Sequence, residues 1–264
     1  MGRKSSLSAD ELSALERLAR LRTWYHQVID ADAFASGMSG SCGDGFANLD
    51  PTSTGFYPSE NANSLRYQAV LGPISDSDLN AWLIRYKEAG VPYAFASVLP
   101  TLYAVEFVAW LKANNFKRCN SMPVLRLGKR QTEPPVLRVN PATFADLDLW
   151  QERGGTLGDR ASLFVGSRSA QVFLAWINSE PVGIGSVYFD DGLAYLGDAT
   201  TLEGFRGRGV QTSLIRARIQ LAKDRDCDLV LAETYRFLEH SWRNLERAGF
   251  LPMCEREIYR WTRP

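Results

Sequence analysis

Two halves of this chain share few identical residues, yet they run in step at a fixed distance. A helical pattern over 75–89 lies 134 residues before one over 209–223. An apolar, β-prone run over 93–99 lies the same distance before 227–233, and a second helical pattern over 102–114 the same distance before 236–248. The second helix leads in one half to Asn115-Phe116 and in the other to Gly249-Phe250. Matching order, spacing and helix-to-Phe junction predict two copies of one α/β unit. Between them, Gly128–Pro135 is polar and ends in two prolines, which disfavour regular structure. The expected domains are therefore 1–130 and 131–264, each an α/β unit.

Length and composition agree with that division. A chain of 264 residues suits one large domain or two ordinary ones, and 45% hydrophobic residues suffice for a core. Thirty basic and thirty acidic residues cancel, which argues against a general nucleic-acid binder. No apolar run approaches the roughly 18–20 residues that span a bilayer, so no membrane partner is expected. The N-terminal residues lack the apolar run of a secretory signal, although Gly2 and Ser6 formally fit a myristoylation pattern. Cys42, Cys119, Cys227 and Cys254 form no C-x-x-C pair and read as reduced thiols of a cytoplasmic protein. With only His26 and His240 available, no metal is expected.

The remaining pattern fills in the two copies. Ser8 and Glu11 form a capping-box pair, and Leu12, Leu15, Leu18, Leu21 and Trp24 carry a helix to about residue 30. Residues 35–62 receive no assignment. Within them Gly40–Gly45 has the spacing of a phosphate-binding turn, but no apolar helix follows, and it reads as a mobile loop. Strands are expected at 65–71, 116–118 and 123–127, with Asp76 or Ser77 near the cap of the helix between. The second half reads as strand 136–139, helix 142–153, a poorly defined stretch 154–169, and a three-strand meander at 172–177, 182–189 and 192–201. Helix 210–223, strand 229–233, helix 238–248 and strands 250–254 and 257–261 complete it.

The stretch Phe205-Arg-Gly-Arg-Gly-Val-Gln-Thr-Ser-Leu214 joins the third meander strand to a helix. Gly207 and Gly209 allow close backbone approach, Arg206 and Arg208 add positive charge, and the helix start offers unpartnered N–H groups. That combination suits an anion. No Gly-Lys-Ser/Thr follows and no third glycine completes a dinucleotide fingerprint. At the corresponding place the first half has Gly72-Pro-Ile-Ser-Asp-Ser-Asp78, in which Pro73 lacks an N–H donor and Asp76 and Asp78 would repel a pyrophosphate.

The loop resembles the Arg/Gln-x-x-Gly-x-Gly/Ala signature of the GNAT acyl-CoA N-acyltransferases, carried here by Arg206 and Gly209, with Gln211 in the last position. The resemblance covers about 136–263 and includes the order of elements and Arg247-Ala-Gly-Phe250. It implies two tandem GNAT-like domains, each with a mixed, mostly antiparallel sheet flanked by helices, with acetyl-CoA as co-substrate of a competent second domain and a lapsed first one. Thr200 and Thr201 would contact pantetheine where the fourth strand splays from the fifth, as β-augmentation. Arg206, Gly207, Arg208, Gly209, Val210, Gln211 and Thr212 would contact the pyrophosphate, with Ser241 and Asn244 as further CoA contacts. An ordinary helix start with a polar face accounts equally for those last two.

The reaction so implied is attack of an amine on the thioester carbonyl, with a base to take its proton and a donor to steady the oxyanion and thiolate. No cysteine nucleophile is needed. Many relatives carry Tyr where this chain has Leu245, leaving Tyr235 and His240 as the nearest acids. Tyr195 stands where some relatives place a glutamate, so Glu233 and then Asp198 are the candidate bases. Each of these also has a purely structural reading. Arg216, Arg218, Lys223 and Arg225 read as a solvated helix face that could assist the 3′-phosphate. The expected acceptor is a small-molecule amine in preference to a protein, and the expected state a monomer or homodimer. A CoA-binding module without turnover, a protein or peptide N-acetyltransferase, and a scaffold without CoA are the competing readings.

Overall fold

The computed structural model describes residues 7–52, 63–128 and 133–264. In chain order the elements begin with helices α1 (Ala9–Ile29) and α2 (Ala31–Ala35), then strands β1 (Ser39–Cys42), β2 (Gly45–Asn48) and β3 (Ser64–Arg66). Helix α3 (Asp76–Glu88), strand β4 (Tyr93–Val98), helix α4 (Ala104–Ala113) and the long strand β5 (Lys117–Leu127) follow. The second half contains β6 (Arg138–Pro141), α5 (Phe144–Glu152), α6 (Gly158–Ser162), β7 (Ala170–Ile177), β8 (Glu180–Asp190) and β9 (Leu193–Thr201). It closes with α7 (Val210–Asp224), β10 (Leu229–Glu233), α8 (Glu239–Arg247) and β11 (Phe250–Thr262).

The chain divides into two compact units: Met1–Met122 with Cys254–Pro264, and Pro123–Met253. Strands β5 and β11 each pass from one unit to the other along their length. In the first unit β1, β2 and β3 pair antiparallel, β3 pairs parallel with β4, and β4 pairs antiparallel with β11 from Tyr93–Thr262 to Val98–Glu257. In the second, β6, β7, β8 and β9 form an antiparallel run, β9 pairs parallel with β10, and β10 pairs antiparallel with β5. Each unit thus has an α/β architecture with one parallel pair, whose two strands are joined through a helix packed on the sheet.

Local sequence explains most of these elements. In α1 the Ser8 N–H donates to Glu11 Oε2 at 2.8 Å and the Glu11 N–H returns a bond to Ser8 Oγ at 3.2 Å, so two orphan donors are satisfied. The same reciprocal box, Thr143 with Asp146, starts α5. Helices α3 and α4 bury Leu79, Trp82, Leu83, Tyr86, Phe107, Trp110 and Leu111 at helical spacing. The matched junctions also hold: Asn115 and Gly249 both take a left-handed backbone, φ 64° and 90°. Each turns the chain so that Phe116 or Phe250 enters the core of its own unit.

Several expectations need correction. Residues 40–45 are not a loop but most of a hairpin, in which Cys42 pairs with Gly45 around a Gly43-Asp44 turn. Gly43 at φ 56° supplies the positive φ that such a two-residue turn requires at its first central position. The flanking Ser-Gly-Ser-Cys and Gly-Phe-Ala-Asn carry little apolar alternation, which hid them. The strand expected over 65–71 stops at Arg66, because Tyr67 and Ala69 adopt φ 56° and leave the extended region. The cap of α3 is Ser75. The short strands expected at 116–118 and 123–127, and at 250–254 and 257–261, are two continuous strands. Residues 53–62 of the unassigned segment, and 129–132 of the expected linker, lie outside the described residues.

Candidate active site

Strand β9 is bent by its own register. Gly197 pairs with Ser186 and Thr200 with Ile184, so Asp198 and Ala199 together oppose Gly185. Asp198 takes φ 41° to accommodate the extra residue. A bulge of this kind turns a strand and strengthens its twist. On the other edge the parallel ladder runs from Leu193–Leu229 to Leu196–Ala232 and stops, although β9 continues to Thr201. Strand β10 itself ends at Glu233, so residues 197–201 of β9, Thr200 and Thr201 among them, keep β8 on one side and extend past the end of β10 on the other.

Arg218 holds the bulge from below. It is 2% exposed, and its Nη1 donates to the carbonyls of Ser186 at 3.1 Å and Gly197 at 3.2 Å, while Nε donates to Leu214 O at 3.0 Å. A Cβ on Gly185 would lie 3.2 Å from its guanidinium carbon, so glycine there makes the room. Burial pulls the Arg218 pKa down to about 10, opposed by Tyr188 and Asp198, and the side chain stays charged at neutral pH. The solvated reading of Arg218 is thus overturned. Its place in the sequence could have shown it: Val210, Leu214, Arg218 and Ala222 form one buried stripe at spacing four.

Beyond Thr201 the chain makes a short turn, and Arg206 enters the loop extended and exposed. Gly207 and Gly209 adopt φ 76° and 78°, and a Cβ at either would meet nothing within 4 Å. These glycines are required by backbone conformation, and the space before them is open. Arg208 is exposed and lies over the Phe205 ring at 5.3 Å. Gly209 is the N-cap of α7, with no side-chain cap and no acidic residue in the first turn. Val210 seats the helix on β8, where a Cβ on Gly183 would come within 2.3 Å of Val210 Cγ1. Gln211 Nε2 donates to Thr201 Oγ1 at 2.9 Å, which ties loop end to strand end and gives the unusual glutamine a role. Thr212 follows, half-buried, in the same first turn.

The candidate bases fall on the sheet face opposite α7. Tyr195 donates from its hydroxyl to Glu233 Oε2 at 3.1 Å. Tyr188 donates to Asp198 Oδ2 at 2.5 Å, and Arg160 Nη1 lies 3.6 Å from Asp198 Oδ1. The two tyrosine rings are 6.5 Å apart, so both carboxylates belong to one cluster at the end of the β9–β10 ladder. Tyr188 and Arg160 were not singled out by the sequence, since neither lies in a motif. Tyr235 stacks on Phe237 at 4.9 Å just beyond β10. His240 and Ser241 are exposed in the first turn of α8, and Asn244 accepts from Arg247 Nη2 at 2.7 Å. Leu245 is buried in the core of the unit. Among the described residues, no group of three or more His, Cys, Asp or Glu could hold a metal ion, and no helix is long and apolar enough to cross a membrane.

Residues 137–250 match the family model of the acetyltransferase (GNAT) family. Among solved structures, the chain is similar to an acetyltransferase from the GNAT family of Colwellia psychrerythraea, with TM-score 0.57, 14% identity and 97% of each chain covered. It is also similar to a tandem GNAT protein from the clavulanic acid biosynthesis pathway, with TM-score 0.53 and 15% identity, covering 70% of this chain and 69% of that one. A GCN5-related N-acetyltransferase from Sphaerobacter thermophilus aligns with TM-score 0.51 and 12% identity over 96% of this chain and 94% of that one. At these identities the structural matches establish fold. No curated protein matches the sequence.

Proposed function

We infer, from a chain whose residues 137–250 belong to the GNAT acetyltransferase family, that it transfers acetyl from acetyl-CoA to a primary amine. The observation that carries this reading is the start of α7: a helix without a side-chain cap, preceded by two open left-handed glycines and two exposed arginines. Unpartnered N–H groups, a favourable dipole and positive charge together suit a pyrophosphate. Arg206 through Thr212 would hold it. Pantetheine would lie along the edge of β9 at Thr200 and Thr201, beside β10, and Ser241 and Asn244 would meet the cofactor from α8.

In the proposed reaction the amine nitrogen attacks the thioester carbonyl carbon, and Glu233 or Asp198 takes the ammonium proton. The C–S bond then breaks, and the thiolate leaves as CoA. Backbone N–H groups of β9 beyond its ladder with β10 would steady the oxyanion. Tyr235 or His240 would protonate the departing sulfur. A small amine, a cytoplasmic setting and a monomer or homodimer belong to the same proposal, as does the reading of the first unit as a copy that has lost its cofactor loop. Its helix α3 supports this: it is capped by Ser75 and carries Asp76 and Asp78 in its first turn. A CoA-binding module without turnover is the second reading, favoured by Leu245, whose buried apolar side chain supplies no acid.

Thermal unfolding with acetyl-CoA tests the assignment. Ligand at about 100 times its dissociation constant adds roughly 2.7 kcal/mol to the native state. The wild type should shift, and Arg206→Glu/Gly209→Asp should not. Absence of a shift in both removes the acyltransferase reading. A shift without thiol release from a panel of amines selects the binding module.

A further inference from the structure

In the first unit the segment between β3 and α3 stands at the same point of the topology as 202–209 in the second, between the first strand of the parallel pair and its helix. Its backbone donors converge on one carboxylate. Asp44 Oδ1 accepts from the Ala69 N–H at 3.0 Å, and Oδ2 accepts from Val70 at 2.9 Å, Leu71 at 2.5 Å and Gly72 at 3.3 Å. Successive N–H groups aimed at one point form the kind of concavity that binds phosphate oxygens elsewhere. Left-handed backbone at Tyr67 and Ala69 shapes it. The carboxylate is delivered by the β1–β2 turn, which is fixed in place: a Cβ on Gly45 would lie 2.2 Å from Arg66 O.

We propose that residues 69–72 are an oxyanion cradle and that Asp44 is its built-in occupant, so that the first unit carries a phosphate-type site closed by its own hairpin. A carboxylate is the right stand-in, because its two oxygens offer about four lone-pair directions to N–H donors and leave none of the cradle unpaired. The helix start that would complete such a site is closed in the same way, with Ser75 Oγ accepting from the Ser77 N–H at 3.1 Å. The four donors of the cradle and one at the helix start are thus satisfied from within the unit. The inference concerns this unit alone and does not depend on acyl-CoA chemistry in the other.

The test is chemical rescue of Asp44→Ala by inorganic phosphate. Melting temperatures of wild type and variant are measured in sodium phosphate and in sodium chloride of equal ionic strength. The variant should melt below wild type in chloride and recover at least about 3 °C more than wild type does on transfer to phosphate. The wild-type arm removes the general stabilisation that phosphate gives any folded protein. Equal phosphate responses in the two proteins would overturn the proposal. If Asp44→Ala yields no folded protein, Asp44→Asn, with one neutral carbonyl in the cradle, is read instead. A response above wild type supports the cradle, and one equal to wild type overturns it.

Discussion

Arg218 Nη1 donates to the Gly197 carbonyl at 3.2 Å, joining the middle of α7 to the bulge in β9. The bulge and the helix that follows it are therefore tied together through one buried side chain. Replacing Arg218 with Met keeps the bulk but leaves the carbonyls of Ser186 and Gly197 without this donor. A buried unpaired carbonyl costs about 1–3 kcal/mol. Urea unfolding of Arg218→Met should accordingly show a loss of at least about 2 kcal/mol. The acetyl-CoA-induced shift should fall with it, whereas Arg216→Met should leave that shift nearly intact.

Gly209 tests the loop by conformation alone. Its φ of 78° disfavours any Cβ, but no atom stands where that Cβ would go. Gly209→Ala should cost about 1–2 kcal/mol through the left-handed backbone. Gly204→Ala, also in open space but without a positive φ, should be close to neutral. Equal stability of the two variants in a calorimetric comparison would contradict the strain argument.

Glu233→Gln separates binding from chemistry. The amide keeps an acceptor for the Tyr195 hydroxyl and cannot take the amine proton. If Glu233 is the base, turnover should drop by about 10²–10⁴-fold. The melting shift with acetyl-CoA should stay as in wild type. Unchanged turnover would pass the role to Asp198.

Trp261 lies near the C-terminus and is 1% exposed, yet it packs in the core of the first unit with Phe107, Trp110 and Tyr86. Truncating such a side chain costs about 3–5 kcal/mol. Amide exchange of Trp261→Ala should lose protection first in α3, α4 and β4, more than a hundred residues away in sequence. The meander β7–β9 should stay protected. Loss confined to β11 would argue against this packing.

Two buried acids set an alkaline limit in the same unit. Burial pushes the Cys42 thiol up to about 12, with Asp78 and Asp44 adding to the effect, and burial likewise raises Tyr86 well above its ordinary value of 10.0. Each group keeps its proton in the folded chain after the unfolded chain has lost it. The native state then binds more protons, so stability is complete below about pH 9 and falls as pH rises toward 12. Cys42→Ala should flatten the onset of that decline in pH-dependent urea titrations. At pH 8 a thiol reagent should label exposed Cys119 well before Cys42.

The longer helices, the meander and the glycine-bearing loop before α7 could be read from the sequence because each is a local pattern, whereas the five-residue helices α2 and α6 are too short to show a period. A 3.6-residue period marks α1, α3, α4 and α7, and glycine at 207 and 209 marks left-handed backbone without reference to anything distant. The 134-residue offset carried the likeness of the halves, down to Asn115 and Gly249. The β1–β2 hairpin escaped because its buried residues other than Phe46 are small or polar, so that its burial comes from neighbours brought in from elsewhere. The apolar stripe that holds Arg218 was legible, but the partners that let a cation be buried there, the space at Gly185 and the carbonyls of Ser186 and Gly197, were not.

Strand partnership was decided only by the tertiary structure. The sequence places a strand at 93–99 and another at 257–261, but nothing local says that these two should pair, nor that β10 should take β5 as its neighbour. Backbone hydrogen bonds are alike from residue to residue, so a strand's own pattern specifies its faces and leaves its neighbour open. The choice falls to which apolar surfaces close together, as when Tyr259 and Trp261 complete the core of the unit in which the chain began.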